Sequence, residues 1–209
     1  MKKAFTLAEI LIALSIVGVI ATLTIPPVVA NYQKKLYVTT LQKEYNKVTE
    51  SVVKIMDEER VENFYESKGG LTQNAECSET NKDNCTQGSG YFMNNYFDID
   101  KKKNCGVEPC LAASYKTLSD TTISLPSFNY CIRTTRGSTV CAYTNSGKLR
   151  FVIDINGADN PNVGGRDLFY LDVQNNGKIK NTCAANASCN SDPCACLKEI
   201  EKSGWKMEY

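Results

Sequence analysis

The chain has 209 residues with 24 basic and 23 acidic side chains, so its formal charge is +1. This length suits one domain of ordinary size plus an anchor, and the near balance of charge gives no electrostatic case for nucleic acid, a polyanionic partner or an acidic substrate. Histidine is absent, which removes imidazole as a general base and as a metal ligand. We therefore do not expect an enzyme.

The ten cysteines predict a disulfide framework made in an oxidising compartment, because their number is even and nine of them follow residue 80. The alternative is a zinc site in the tail, but the spacings of five, four and one intervening residues there differ from CxxC pairs. The sequence leaves the pairing open. The cysteines are Cys77, Cys85, Cys105, Cys110, Cys131, Cys141, Cys183, Cys189, Cys194 and Cys196.

The first thirty residues carry an apolar segment without a charged side chain from Ile10 to Gln33. Twenty residues from Ile10 to Val29 would span about 30 Å as a helix, which matches the hydrocarbon core of a membrane. A secretory signal peptide is the competing interpretation, because Lys2 and Lys3 precede the segment and small residues end it at Ala30. Against a signal peptide stands Glu9, which weakens insertion at the head of the apolar core.

The stretch "AFTLAE", from Ala4 to Glu9, resembles the class III leader of type IV pilins and type II secretion pseudopilins. The resemblance implies cleavage by a prepilin peptidase between Ala4 and Phe5, followed by N-methylation of Phe5. The usual residue before the cut is glycine, so Ala4 is a departure from the pattern. The resemblance also implies a single-pass inner-membrane protein with a cytoplasmic amino terminus and an extracytoplasmic body, which assembles into a filament.

The same resemblance gives Glu9 a role. In that family the glutamate five residues into the mature chain pairs with the free amino group of a neighbouring subunit, which offsets the cost of a carboxylate in hydrocarbon. The alternative is a helix-end glutamate whose carboxylate reaches the headgroups. The implied partners are other pilin or pseudopilin subunits, the peptidase, the inner-membrane assembly platform and membrane lipid. Nucleic acid is not expected.

Pro26 and Pro27 are predicted to break or kink the first helix, since proline removes a backbone donor. Beyond them an apolar stripe at helical spacing predicts an amphipathic helix from near Asn31 to near Tyr65, with a polar face that includes Glu44. A short helix is expected near Tyr91–Phe97. The stripe consists of Leu41, Tyr45, Val48, Val52 and Ile55.

From Asn129 the apolar period changes to two, which predicts an antiparallel sheet of about four strands. Cys131 and Cys141 fall on adjacent predicted strands, where a cross-strand bridge depends on register. The predicted fold is therefore α+β and pilin-like, a long amino-terminal helix packed on a carboxy-terminal antiparallel sheet. The predicted segments are a leader (1–4), a membrane helix (5–30), a helical stem (31–68), an irregular cysteine-bearing region (69–128), the sheet (129–182) and a cysteine-rich tail (183–209).

The connection "DINGADNPNVGGRDLF" supplies oxygen ligands of the kind that calcium requires. It is not an EF-hand, because Gly165 stands where the bidentate glutamate should be. The segment resembles a calcium-bearing loop of pseudopilin-like proteins, although Asx residues also cap turns without metal. Calcium is thus the one cofactor considered. The candidate ligands are Asp154, Asn156, Asp159 and Asp167, with Asn160 beside them.

The function that these patterns predict is a structural filament subunit, a pilin or pseudopilin. The alternative is a secreted or membrane-anchored binding module stabilised by disulfides, with calcium as a candidate ligand. Processing separates the two, because a pilin-like chain is cut after Ala4 and a conventional secreted chain after Ala30.

Overall fold

The structure is a computed structural model that describes residues 6–71, 85–100, 105 and 109–209. The chain divides into two compact units, Met1–Leu36 and Tyr37–Tyr209. The α+β fold predicted from the sequence is confirmed, with a long helix and a four-stranded antiparallel sheet. The helices are α1 (Leu7–Glu59), α2 (Gly88–Tyr96) and α3 (Cys196–Lys202). The strands are β1 (Tyr115–Lys116), β2 (Thr122–Ile123), β3 (Tyr130–Arg133), β4 (Thr139–Asn145), β5 (Lys148–Asp154) and β6 (Leu168–Asp172).

The main sheet has the order β3-β4-β5-β6, and each strand is antiparallel to its neighbours. Because side chains alternate between the two faces of a strand, the sheet divides its apolar residues into two clusters. One face carries Ile132, Val140, Phe151 and Leu171 toward α1 and α2. The other face carries Cys141 and Val152 under Tyr115 and the segment that leads into β3.

The carboxy-terminal part of α1 packs on the first of these faces. Its buried apolar residues recur at helical spacing, as the stripe predicted, and Val48, Val52 and Ile55 are fully buried. The helix ends at Glu59, six residues before the predicted end near Tyr65. Arg60 adopts a left-handed conformation, with φ of 56°. The amide of Arg60 bonds to Asp57 O and that of Val61 to Met56 O, which is a Schellman motif and closes the helix.

Pro26 and Pro27 do not end the first helix, because α1 continues through both residues. The two prolines cannot donate to the carbonyls of Thr22 and Leu23, so the helix loses two hydrogen bonds there. A kink at this point, which proline commonly causes, stays a prediction.

Helix α2 lies near the position predicted for it, and Gly69 and Gly70 shape the chain before it. A Cβ on Gly69 would lie 2.7 Å from Ile55 Cδ1, and one on Gly70 would lie 2.0 Å from Phe64 O. Only glycine allows the backbone to approach Ile55 of α1 and the Phe64 carbonyl this closely. A small β1–β2 sheet, in the region expected to be irregular, and helix α3 in the tail are elements that the sequence did not predict.

Four disulfides are present in the part of the chain that the structure describes. Cys131 and Cys141 are direct cross-strand partners, with Cα atoms 4.0 Å apart. The other three bridges are Cys105–Cys110, Cys183–Cys194 and Cys189–Cys196. Cys85 is also disulfide-bonded, whereas Cys77 lies outside the described residues. The tail cysteines are therefore engaged with one another as disulfides.

Candidate functional site: the apolar helix and its amino-terminal carboxylate

The first unit consists, in its described part, of the amino-terminal portion of α1, and its apolar side chains are exposed. Ile12 and Leu14 are 62% and 64% exposed, and Leu23 is 72% exposed. This is the one described helix that is long and apolar enough to cross a membrane. Exposed apolar surface on this scale requires cover, either by lipid or by another protein surface.

The polar side chains within this segment bond to the backbone of their own helix. Ser15 donates to Leu11 O at 2.8 Å, and Thr22 and Thr24 donate to Val19 O and Ile20 O at 2.9 Å. Each hydroxyl proton is therefore satisfied without water. This arrangement suits a segment that lies in hydrocarbon, where an unpaired donor costs on the order of 4 kcal/mol.

Glu9 forms a capping box with Thr6 at the start of α1. Thr6 donates its backbone N–H and its hydroxyl to Glu9 Oε2, both at 2.8 Å, and Glu9 N donates to Thr6 Oγ1 at 3.3 Å. The pattern Thr-x-x-Glu before an apolar run is the sequence signal for this motif, so this cap is predictable from local sequence. The carboxylate is exposed, and its bonds in the described chain all go to Oε2.

The predicted processing residues Ala4 and Phe5 lie outside the described residues. The site that the structure shows is thus the sequence from Thr6 onward: a capped helix start, one carboxylate, and an exposed apolar surface. Helix N-termini carry a partial positive charge, which favours a carboxylate in the first turn. Glu9 consequently has a local structural reason for its position, independent of any neighbouring subunit.

A second charged feature lies within the second unit, where Glu44 is fully buried. Its carboxylate accepts bonds from Arg136 Nε at 2.9 Å, Arg136 Nη2 at 3.1 Å and Ser138 Oγ at 2.6 Å. The hydrogen bond to Glu44 raises the pKa of the Arg136 guanidinium above its ordinary value. These contacts tie α1 to the β3–β4 turn, so the prediction that Glu44 lies on the polar face is wrong.

The candidate calcium loop brings Asp154 and Asp167 together in the interior. Both are fully buried. Asp154 accepts bonds from the Tyr115 hydroxyl and from Asn156 N, the latter at 3.1 Å. Asp167 accepts from Asn162 N and Val163 N, both at 2.7 Å. The carboxylates therefore serve as acceptors for protein donors that hold the loop in shape.

The carboxylates of Asp154 and Asp167 are engaged by protein donors, which compete with a cation for their oxygens. The same loop buries Asn156 Oδ1 and Asn162 Oδ1 without a hydrogen-bond partner, so calcium binding there stays a prediction. Asp159 is exposed, and Asn156 directs its amide N–H groups to the carbonyls of Asp159 and Asn160. Among the described residues, which include this entire loop, none of the clusters of acidic, cysteine or histidine side chains is suited to a metal.

Burial changes the pKa values of the two aspartates in this loop. It raises the pKa of Asp154 from 3.8 to about 7, while the bond from Tyr115 acts in the opposite direction and the charge of Asp167 adds to the increase. Burial also raises the pKa of Asp167, against the effect of its backbone donors. The two carboxyl groups therefore disfavour each other's ionisation.

Comparison with known proteins finds no matching family model, no similar curated protein and no similar solved structure.

Proposed function

We propose that this chain is a structural subunit of a filament, a pilin or pseudopilin of the type IV pilus or type II secretion class. It is cut between Ala4 and Phe5 by a prepilin peptidase, methylated at Phe5 and assembled from the inner membrane. The observation that carries the proposal is the exposed apolar helix with a single carboxylate at its start. The leader pattern "AFTLAE" supports it.

The division of the chain into two units suits this role. The second unit buries its own core of strand, α1 and α2 side chains. The apolar surface of residues 7–29 contributes nothing to that core, so its cover must come from elsewhere. Lipid covers it before assembly, and the helices of neighbouring subunits cover it in a filament, where apolar side chains replace the lipid contacts.

Glu9 then has two functions in one side chain. Oε2 caps the helix through Thr6, and Oε1 is left to receive the ammonium group of a neighbouring subunit. Such a pair fixes the register between helices, because a buried carboxylate without a cation is costly.

The test separates the charge of Glu9 from its capping function. Glu9→Gln keeps a side chain that can complete a capping box but removes the charge. Thr6→Ala removes the cap and keeps the charge. We expect both variants to insert into the membrane, and we expect filaments purified from the host to contain the Thr6→Ala subunit but not the Glu9→Gln subunit.

Filament content is measured by immunoblotting sheared filaments, with membrane fractions as the loading control. Normal incorporation of Glu9→Gln would contradict the pairing role. Loss of incorporation for both variants to the same degree would mean that Glu9 acts only as a helix cap.

The alternative function is a secreted or membrane-anchored binding module. The disulfide-stabilised second unit, with its separate core, is the observation that favours it. Its amino terminus would be Asn31 if it is secreted, or it would remain unprocessed if it is anchored.

A further inference from the structure

A groove on the second unit is lined by lysine and amide side chains. It lies between the start of β5 and the turn that follows β6, with a volume of about 650 Å³. Lys148, Lys178 and Lys180 supply its charge, and Gln174, Asn175 and Asn176 supply amide groups. We call this surface the lysine groove.

The groove adjoins a second cavity of about 360 Å³, which shares Gln174 and Lys180 with it and adds Lys198. Four lysines therefore surround one continuous surface. The residues that line the two cavities include no aspartate or glutamate. All four ammonium groups are on exposed residues, and the ion pairs of the described chain involve other side chains.

The fold brings these lysines together through a tight turn. Gln174 N bonds to Lys178 O at 2.8 Å, and Gly177 N bonds to Gln174 O at 2.9 Å. Gly177 has a φ of +75°, and a Cβ there would lie 2.7 Å from Met56 Sδ, so the turn requires glycine. The turn holds Lys178 and Lys180 near Lys148 at the start of the neighbouring strand. Like charges placed together in this way repel each other, and a bound anion offsets the repulsion.

The lining indicates which anion suits the groove. Ammonium groups on flexible stems attract carboxylate, sulfate or phosphate. Gln174 Nε2 donates to Lys180 O and Asn176 Oδ1 accepts from Lys178 N, so the other atoms of these amides and the Asn175 amide are the groups that would bond to the hydroxyl groups of a sugar. The lining contains neither arginine, which binds phosphate in a bidentate fork, nor an aromatic ring on which a base would stack. An acidic sugar polymer therefore fits better than nucleic acid.

We propose that the lysine groove binds an acidic polysaccharide, with the lysines on its carboxylates and the amides on its hydroxyl groups. The near-zero net charge of the whole chain gives by itself no electrostatic case for a polyanionic partner. The proposal rests on the local charge instead: four lysines line the groove and the cavity beside it, while Asp172, which also interacts with Lys148, is buried in an ion pair with Arg150. The proposal does not depend on whether the chain is a filament subunit.

The test uses the full chain in non-ionic detergent and measures its affinity for oligogalacturonate by calorimetry. The fully methyl-esterified oligomer, which is neutral, is the matched control ligand. We expect binding to the acidic oligomer, little to the ester, and weakening as salt increases. The double variant Lys178→Glu/Lys180→Glu should lose at least about tenfold in affinity.

Lys202→Glu/Lys206→Glu is the matched control variant, because it makes the same charge change on exposed residues outside the groove. It should bind as the wild type does. Lys178→Gln/Lys180→Gln serves if the charge-reversed variant does not fold. Equal losses in the groove and control variants, equal binding of the ester, or tighter binding of a DNA duplex of the same charge would each overturn the proposal.

Discussion

At the scale of single residues, Glu44 shows how a buried charge can position a helix. The carboxylate receives three hydrogen bonds from the β3–β4 turn, two of them from one guanidinium. A bidentate pair of this kind fixes both distance and orientation. The register of α1 on the sheet thus depends on a polar contact as well as on the apolar stripe.

Removal of either partner should therefore be costly. We expect Glu44→Ala to lower the free energy of unfolding by about 2 kcal/mol, because the buried Ser138 hydroxyl loses its acceptor, whereas the exposed Arg136 can bond to water instead. Glu50→Ala, an exposed residue on the same helix, should change it by less than about 0.5 kcal/mol. Denaturant unfolding of the full chain in detergent, followed by circular dichroism, measures both.

Arg136→Ala completes a double-mutant cycle. If Glu44 and Arg136 stabilise each other, the double variant should lose less than the sum of the two single losses, by about 1 kcal/mol. Strictly additive losses would contradict a direct pair.

Asp154 makes the stability of the second unit depend on pH. Its folded-state pKa is raised to about 7 from 3.8, so ionisation is harder in the folded state than in the unfolded state. The resulting contribution to stability is complete below about pH 4 and is lost as pH rises through about 7. We expect the wild-type melting temperature to fall between pH 5 and pH 8.

Asp154→Asn should flatten this pH dependence, while Asp159→Asn, an exposed residue in the same loop, should preserve it. Melting curves at pH 5, 6, 7 and 8 test the claim. A wild-type melting temperature that rises with pH over this range would contradict a raised folded-state pKa at Asp154.

Residue-scale features were the hardest to predict from the sequence. Glu44 stands three residues after Leu41 and four before Val48, so its spacing places it on the apolar stripe. Its charge led to the prediction that it lies on the polar face. A local pattern could not show the partner that neutralises it, because that partner lies 92 residues away in the chain. The capping box of Thr6 and Glu9 is local, by contrast, and could have been identified from the sequence.

At the scale of secondary-structure elements, local sequence patterns predicted most of the fold. Alternation of polar and apolar residues predicted the four strands of the main sheet, and the apolar stripe predicted the carboxy-terminal part of α1. The end of α1 was missed because Arg60 occupies a left-handed position that usually calls for glycine. The two-residue strands β1 and β2 are too short to give a periodic signal.

The Cys131–Cys141 bridge joins β3 and β4 in register and closes a loop with a sequence separation of 10. We expect Cys131→Ala/Cys141→Ala to lower the free energy of unfolding by about 3 kcal/mol, chiefly by enlarging the unfolded ensemble. Urea unfolding under non-reducing conditions measures the loss. An unchanged midpoint would mean that the bridge adds nothing to a hairpin already fixed by its turn and its cross-strand packing.

At the scale of the whole molecule, the chain combines a unit with exposed apolar surface and a unit with its own core. The apolar composition of residues 10–33 made the first unit predictable from the sequence. The function proposed for it depends on residues 1–5 as well, because the class of protein is defined by where the chain is processed.

The mass of the amino-terminal peptide, from protein expressed in its native host, tests this most directly. We predict a peptide that begins at Phe5 and is heavier by one methyl group than its sequence requires. A peptide that begins at Asn31 would contradict the filament function and identify a secreted protein. One that begins at Met1 would contradict it as well and leave a membrane-anchored binding module.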